Sequence, residues 1–364
     1  MVAVAIATAL VAPASASAAP PPPKPHPSVY AYVTSDGGEV HAIDTSTNTV
    51  NPLGTFSIGG GPDQVAVTPD GATLYVSNAF KVVSVIDIAN KSIIKTIKFE
   101  QKDPPDILFG MAMAPDGKRV YVAVQHAFGG DKVSVIDTAS KEITGAISVD
   151  TPEQVAVSSN SKRVYVGGKG GVSVINAVTD KVIDTIPLDE RPYAMALTPN
   201  DKRAYVTAFS GHVSVINIAK RKVTRTIADA GPLGLAISPD GKRAYATGVD
   251  THLEQGRVSV IDTATDKVIA TVLIGESRPE GRFFRPTHVA ITPDGKRAYV
   301  TGSYEGKGSK SGTVFAIDTT TNEATPITVG TGETRGVAIG QLGGKGGKGG
   351  KGGKGGKEGK GGKP

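Results

Sequence analysis

The stretch that decides the fold begins at Leu235: Leu-Ala-Ile-Ser-Pro-Asp-Gly-Lys-Arg-Ala-Tyr-Ala-Thr-Gly, then a loop. From Arg257 it continues Arg-Val-Ser-Val-Ile-Asp-Thr-Ala-Thr-Asp-Lys-Val-Ile-Ala-Thr-Val-Leu-Ile-Gly. Four short runs, 235–238, 243–247, 257–262 and 268–274, are rich in Val, Ile, Ala, Thr or Tyr and are bounded by turn residues, which predicts four strands. Pro239-Asp240-Gly241 is a turn with a mechanism: Pro presets φ, Asp suits the second central position, and Gly follows. Residues 262–266 form a second polar turn, where Asp262 can accept a backbone N–H two residues on. Such a sheet leaves both faces uncovered, so it needs neighbours.

Repetition supplies them. The Pro-Asp-Gly turn recurs at Pro69, Pro115 and Pro293, and in altered form at Ser159-Asn160 and Pro199-Asn200. The tyrosine of the second run recurs as Tyr32, Tyr75, Tyr121, Tyr165, Tyr205, Tyr245 and Tyr299. The residue closing the third run is Asp44, Asp87, Asp137, Asn176, Asn217, Asp262 and Asp318. Two independent markers thus give seven units, spaced near the roughly 40–50 residues of a four-stranded propeller blade. The expected fold is an all-β, seven-bladed β-propeller over residues 29–342.

The first unit is short of one strand. Runs 31–35, 40–44 and 56–59 supply three, and no Val-Ala-Val-Thr-Pro-Asp-Gly precedes them. The missing strand stands at the other end, as residues 336–340, Gly-Val-Ala-Ile-Gly. A C-terminal strand that completes the first blade closes the ring and removes two sheet edges. Units two to seven open near Val65, Met111, Val155, Met195, Leu235 and Val289. Each has alanine one residue later (Ala66, Ala112, Ala156, Ala196, Ala236, Ala290), as crowding around an axis requires.

The flanks differ in kind. Residues 1–18 read as a secretory signal peptide: an apolar run too short to span a bilayer, then Ala16-Ser17-Ala18 as a small-residue cleavage site. No Lys or Arg precedes the run, a departure from the usual pattern. Residues 19–28 are a stiff Pro-rich linker. Residues 343–364 repeat Gly-Gly-Lys, a composition that forms no packed core and predicts a disordered tail. That tail carries seven Lys and one Glu, net +6, equal to the net charge of the whole chain. The body is therefore neutral, and the basic character belongs to the tail. The expectation is an exported protein, secreted or associated with the cell envelope. No transmembrane segment is expected after cleavage. The chain has no cysteine and no tryptophan, which excludes disulfides, thiolate metal sites, c-type haem attachment and a tryptophan-derived quinone.

The runs Tyr-Val-Thr-Gly at 299–302, Tyr-Val-Thr-Ala at 205–208 and Tyr-Val-Ser-Asn at 75–78, with Val-Ser-Val-Ile-Asp downstream, resemble the YVTN family of β-propeller repeats (YncE-like, surface-layer-type). The resemblance covers about residues 29–340. It implies a seven-bladed propeller in an exported bacterial or archaeal protein, and it leaves activity open. Similar propellers serve as surface-layer modules, DNA-binding periplasmic proteins, amine dehydrogenase subunits and lactonase-like or lyase-like enzymes.

A repeat protein carries its own control: what recurs in every blade is scaffold, and what occurs once is a candidate site. Long segments occur at 101–108, 125–131, 250–256, 276–285 and 304–311, all second turns or links between blades. In an antiparallel blade these share one face, which makes that face the expected binding surface for an unknown ligand. Its sharpest element is Arg278 to Arg285, where Arg282, Phe283, Phe284 and Arg285 could hold an anion and stack a flat or apolar group; alternatively Phe283 and Phe284 plug the gap between blades while the Arg side chains stay solvated. Tyr304 borders another inserted loop. His126 and His252 lie in inserted loops, His212 in a tight turn, and His288 in an inner strand. They come from four blades with no ligand spacing, so no metal site and no cofactor are expected, and His288 beside the axis is the better candidate, as a ligand contact or a general base. The residues just before the inner strands, Asp63, Gln64, Glu153, Gln154, Tyr193, Thr287, His288 and Arg335, sketch the mouth of a central channel. Three functions follow: a non-catalytic binding scaffold, an enzyme of lactonase or lyase type at the channel mouth, and binding of single-stranded DNA or another polyanion by the Arg/Phe loop and Lys tail. For the tail the expected partner is an anionic polymer: a cell-wall polymer, acidic lipid headgroups or DNA.

Overall fold

The computed structural model describes residues 28–78, 81–99, 106–126, 129–250, 252–275, 283–304 and 311–341. The expected signal peptide, all of the linker but Ser28, the Gly/Lys tail and Arg282 lie outside these residues. Twenty-eight strands form seven four-stranded antiparallel sheets, and no helix occurs among the described residues. The unit containing Leu235 folds as Leu235–Ile237, Arg243–Asp250, Gln255–Asp262 and Lys267–Ile274. The two middle strands outrun their sequence pattern because residues 248–256 continue the hairpin, with Asp250 paired to Gln255. The expected insertion at 250–256 is thus strand at Asp250 and at Gln255 and Gly256, with 252–254 as its turn.

The first turn holds itself. Ser238 Oγ donates to Asp240 Oδ1 at 2.6 Å and accepts the Arg243 N–H at 2.9 Å. Thr68, Ser158, Thr198 and Thr292 repeat the contact to the turn Asp or Asn. Gly241 takes φ of 72°, in the left-handed region that glycine enters without cost. Where the glycine is replaced, Ser161 and Asp201 adopt the same conformation (φ 58° and 55°). Both use the side chain to reach the preceding blade. Ser161 Oγ accepts the Asp116 N–H at 3.0 Å, and Asp201 accepts the Ser159 N–H at 2.9 Å.

Register explains the alanines. Each inner-strand alanine faces the repeat tyrosine across the strand pair: Ala66 with Tyr75, Ala196 with Tyr205, Ala290 with Tyr299, and Ala338 with Tyr32. The small partner leaves room for a ring that buries roughly 150–250 Å². Second and third strands are buried on both faces because blades stand face to face. Seven aliphatic clusters result, each spanning two adjacent blades. Outer strands show Ile, Val and Thr to solvent, and in blades two to six each carries a bulge at the same register.

The ring closes through the C-terminal strand. Thr334–Gln341 pairs antiparallel with Val29–Ser35 and is the inner strand of blade one. The seventh core cluster joins Ala31, Val33 and Ile43 of that blade to Tyr299, Val314 and Ile327 of blade seven. Two sequence expectations shift. The outer strand of blade one is Thr49–Ser57 rather than 56–59, because a wide irregularity between His41 and Ile43 absorbs residues 51–54. The segment 276–285 is not loop to its end, since the inner strand of blade seven already begins at Phe284 (Phe284–Ile291).

Residues of the second strand bind several blades to the next, at one end or at both. At the end of the Pro-Asp-Gly turns, Tyr205 donates to Asp266 Oδ1 at 2.5 Å while Arg203 pairs with the same carboxylate at 2.9 Å. Tyr299 donates to Asn48 Oδ1 at 2.6 Å, and Arg119 pairs with Asp180 at 3.0 Å. The acceptors Asn48, Asp180 and Asp266 all sit at positive φ in the third turn, which Asn and Asp tolerate best after glycine. At the other end, two residues along the strand, Thr34 donates to the Asp63 carbonyl at 2.6 Å and Thr207 to the Leu233 carbonyl at 2.9 Å. Thr301 donates likewise to the Arg335 carbonyl.

Candidate functional site: the mouth of the axial channel

Those threonine latches fix the backbone where each inner strand begins. The inner strands approach so closely that a Cβ added at Gly110 would come 2.5 Å from the Glu153 carbonyl oxygen; at Gly336 it would collide in the same way with that of Asp63. Only glycine allows this contact. Larger residues on neighbouring blades, Gln64, Gln154 and His288, then turn to the axis.

The result is a cavity of about 260 Å³. All eight residues expected at the mouth line it, together with Phe109 and Gly110. They come from six of the seven blades, which places the cavity on the ring axis. A larger cavity of about 610 Å³ lies between blades six and seven at the opposite end. Its wall includes Pro239, Asp240, Pro293 and Asp294, the recurring turns, so its size reflects the scaffold.

Burial and charge set the chemistry of the mouth. The Gln64 amide nitrogen lies 3.1 Å from His288 Nε2. An amide N–H only donates, so the imidazole is neutral, with its proton on Nδ1. Burial pushes the His288 pKa down; the Asp63 carboxylate and the Arg335 carbonyl pull it partly back, and the Arg335 charge adds to the depression. Burial raises the Glu153 carboxyl above its usual range, and its ion pair with Arg191 offsets part of the rise. Burial also raises the Tyr193 phenol; Arg285 opposes the rise while Glu153 and Asp63 add to it. Tyr193 is therefore within the field of groups from blades two, four and seven.

The other candidates separate. Phe284 is fully buried, its ring 4.8 Å from Phe315 and 5.4 Å from Tyr304, both edge-on. It packs blade six against blade seven, and Tyr304 belongs to the same cluster. Phe284 thus plugs the gap between blades and offers no free face to a flat ligand, while Phe283 is half-buried. Arg285, by contrast, lies near enough to the mouth for its charge to lower the Tyr193 pKa against the rise that burial causes. His252 is exposed, and its backbone N–H donates to Asp250 at 3.0 Å. His126 N–H donates to Asp131 at 2.8 Å. Among the described residues no three His, Asp or Glu side chains are grouped to hold a metal ion.

Sequence reasoning missed Phe209. It is 71% exposed and meets Tyr193 edge-on, with centroids 5.5 Å apart and planes at 80°. No sequence signal set it apart, since Phe80 and Phe128 also stand in second turns. Nearby, Ser210 donates to Glu190 and lies 2.8 Å from His212 Nδ1, while Glu190 is 3.8 Å from that same nitrogen. A nucleophilic triad needs serine and acid on opposite ring nitrogens, so this cluster ties a turn.

Fold and cavity together define a seven-bladed β-propeller with a polar axial mouth. No family model matches the chain. It is 28% identical over 135 residues to the seven-bladed beta-propeller protein Rv1057 of Mycobacterium tuberculosis, a match covering 36% of this chain. The chain spans 33% of the length of that relative. Among solved structures it is similar to a chain of Kuenenia stuttgartiensis hydrazine synthase, at TM-score 0.62 and 25% identity over 80% of this chain and 90% of that one. It is also similar to a functionally unknown protein from Desulfotomaculum acetoxidans, at TM-score 0.68 and 11% identity over 86% of this chain and 99% of that one.

Proposed function

We propose that the chain is an exported, non-catalytic binding propeller of YVTN type. Its ligand site is the axial mouth, on the face that carries the second turns and the links between blades. One observation carries this reading. Residues that recur from blade to blade, the tyrosines, the turn Asp or Asn and the latch hydroxyls where present, are consumed in holding turns and blades together. Residues that occur once, Asp63, Glu153, Tyr193, His288 and Arg335, line one small cavity. Export rests on the sequence of residues 1–18.

A second reading is an enzyme of lactonase or lyase type at the same mouth. It is favoured by Glu153, a half-buried carboxyl raised by burial inside a polar cavity, which is how a general acid is made. One structure of similar fold is a chain of a hydrazine synthase.

The test uses the absence of tryptophan. Tyr193→Trp places a sole indole at the mouth. A small-molecule library is screened on the parent chain by thermal shift, and each hit is titrated against the indole emission of the variant. The expected result is that hits change the emission and protect the indole from quenching by acrylamide. Hits that raise the melting temperature while leaving emission and quenching unchanged would place the site elsewhere.

A further inference from the structure

Asp63 and Arg335 hold opposite charges against one cavity without pairing to each other. Thr34 fixes both backbones: its hydroxyl donates to the Asp63 carbonyl at 2.6 Å and accepts the Gly336 N–H at 2.8 Å. The only partner of the Arg335 guanidinium among the described residues is Glu333, at the hydrogen-bond limit of 3.5 Å. The Asp63 carboxylate makes no hydrogen bond or ion pair with any described residue. Both side chains line the cavity beside two aromatic walls, Phe109 and Tyr193, and two amides, Gln64 and Gln154.

This pattern selects by charge. A simple cation entering the cavity would satisfy Asp63 and meet the field of Arg335. A simple anion would satisfy Arg335 and meet that of Asp63. Asp63 is half-buried and Arg335 exposed, and either ligand would leave one of the two charges uncompensated beside it. A ligand carrying both signs answers both at once. At about 260 Å³ the cavity falls just below the usual range of roughly 300–1,000 Å³ for small-molecule sites, so the ligand is small. We propose that the mouth binds a small zwitterion of amino-acid type, its ammonium on Asp63, its carboxylate on Arg335 and an apolar side chain against Phe109 and Tyr193. This rests on the mouth being the binding site.

The experiment is calorimetric titration of the full chain at neutral pH with L-phenylalanine, phenethylamine and 3-phenylpropionate, which share a ring and differ only in charge. The expected result is that L-phenylalanine binds at least about tenfold tighter than either analogue. Asp63→Asn should reduce it to the level of 3-phenylpropionate, and Arg335→Gln to that of phenethylamine, with unchanged circular dichroism and melting temperature. A one-charge analogue that binds as tightly as L-phenylalanine, or no heat from any of the three, would overturn the inference. The indole emission of the Tyr193→Trp variant separates this from the reading beneath it. If an analogue with one charge perturbs that emission as strongly as L-phenylalanine does, the mouth stands and the zwitterion falls. If L-phenylalanine binds without perturbing the emission and is indifferent to Asp63→Asn, both fall.

Discussion

The two ends of the ring are built from the same strands but answer different demands. At the end of the Pro-Asp-Gly turns, Tyr205 and Tyr299 spend their hydroxyls on the next blade, and the acceptors sit at positive φ in a recurring turn. At the mouth, Tyr193 makes no such bond among the described residues; its phenol stands among Arg285, Glu153 and Asp63. The same side chain is an inter-blade fastening at one end and part of a cavity wall at the other. In a repeat protein, position within the repeat tells more about a residue than its type does.

The largest expected effect concerns closure, on which both ends depend. Deleting residues 333–364 removes the inner strand of blade one and opens the seventh core cluster. The loss should exceed the roughly 5–15 kcal/mol that holds a domain together, so no cooperative melting transition should remain. Deleting 343–364 should leave the melting temperature unchanged. Equal melting of the two truncations would reject closure by this strand.

Alkaline unfolding should report the fastened end next. Burial, first among the causes, holds Tyr75 and Tyr299 up at about 12. A folded pKa raised above the unfolded value of about 10 leaves stability whole below pH 10 and removes it as pH climbs from about 10 through about 12. Each phenol should contribute about 2–3 kcal/mol to that loss. Urea denaturation between pH 8 and 12 checks it: Tyr299→Phe should flatten the decline, and an equally steep decline in that variant would contradict the assignment.

A smaller change should improve the fastening where the repeat lapses. Blade five carries Arg221 at the positive-φ position that is Asn48, Asp180 or Asp266 elsewhere. The Arg163 guanidinium of blade four turns instead to the Lys162 carbonyl at 3.1 Å. Arg221→Asn gives up an ion pair that is exposed on the arginine side and partly buried at Asp184, and offers an acceptor to blade four. Stability should rise by about 0.5–1 kcal/mol; a loss in denaturant melts would show that the outer ion pair matters more.

For the fold, the smallest effect belongs to the tail. Removing 343–364 should leave folding untouched and flatten the salt dependence of binding to duplex DNA, whose log–log slope for seven lysines should not exceed about 6. Identical slopes for both chains would leave the tail no role toward anionic polymers.

Much of this was legible because repetition displays it. Strand order, blade count, closure and the eight mouth residues all follow from aligning the chain with itself. The failures came where the repeat offers no template. Nothing in Arg-Phe-Phe-Arg marks where a strand starts, so the sequence left Phe284 between a ligand stack and a plug between blades; packing against Phe315 and Tyr304 decides for the plug. Phe209 was passed over because its turn is short, and only the fold brings it onto Tyr193. The pairing of Arg203 with Asp266 joins residues 63 apart, and no local pattern announces it.

The most direct measurement removes one hydroxyl from each end. Tyr299→Phe and Tyr193→Phe are the same chemical change, compared by urea denaturation at pH 7 and by calorimetric titration with L-phenylalanine. Tyr299→Phe should cost about 1 kcal/mol of stability, the worth of one hydrogen bond whose acceptor, Asn48 Oδ1, keeps the Arg297 guanidinium, and leave ligand affinity unchanged. Tyr193→Phe should change stability by less than about 0.5 kcal/mol and alter ligand affinity. If Tyr193→Phe destabilises as much as Tyr299→Phe while affinity stays constant, the mouth is scaffold like the rest of the ring.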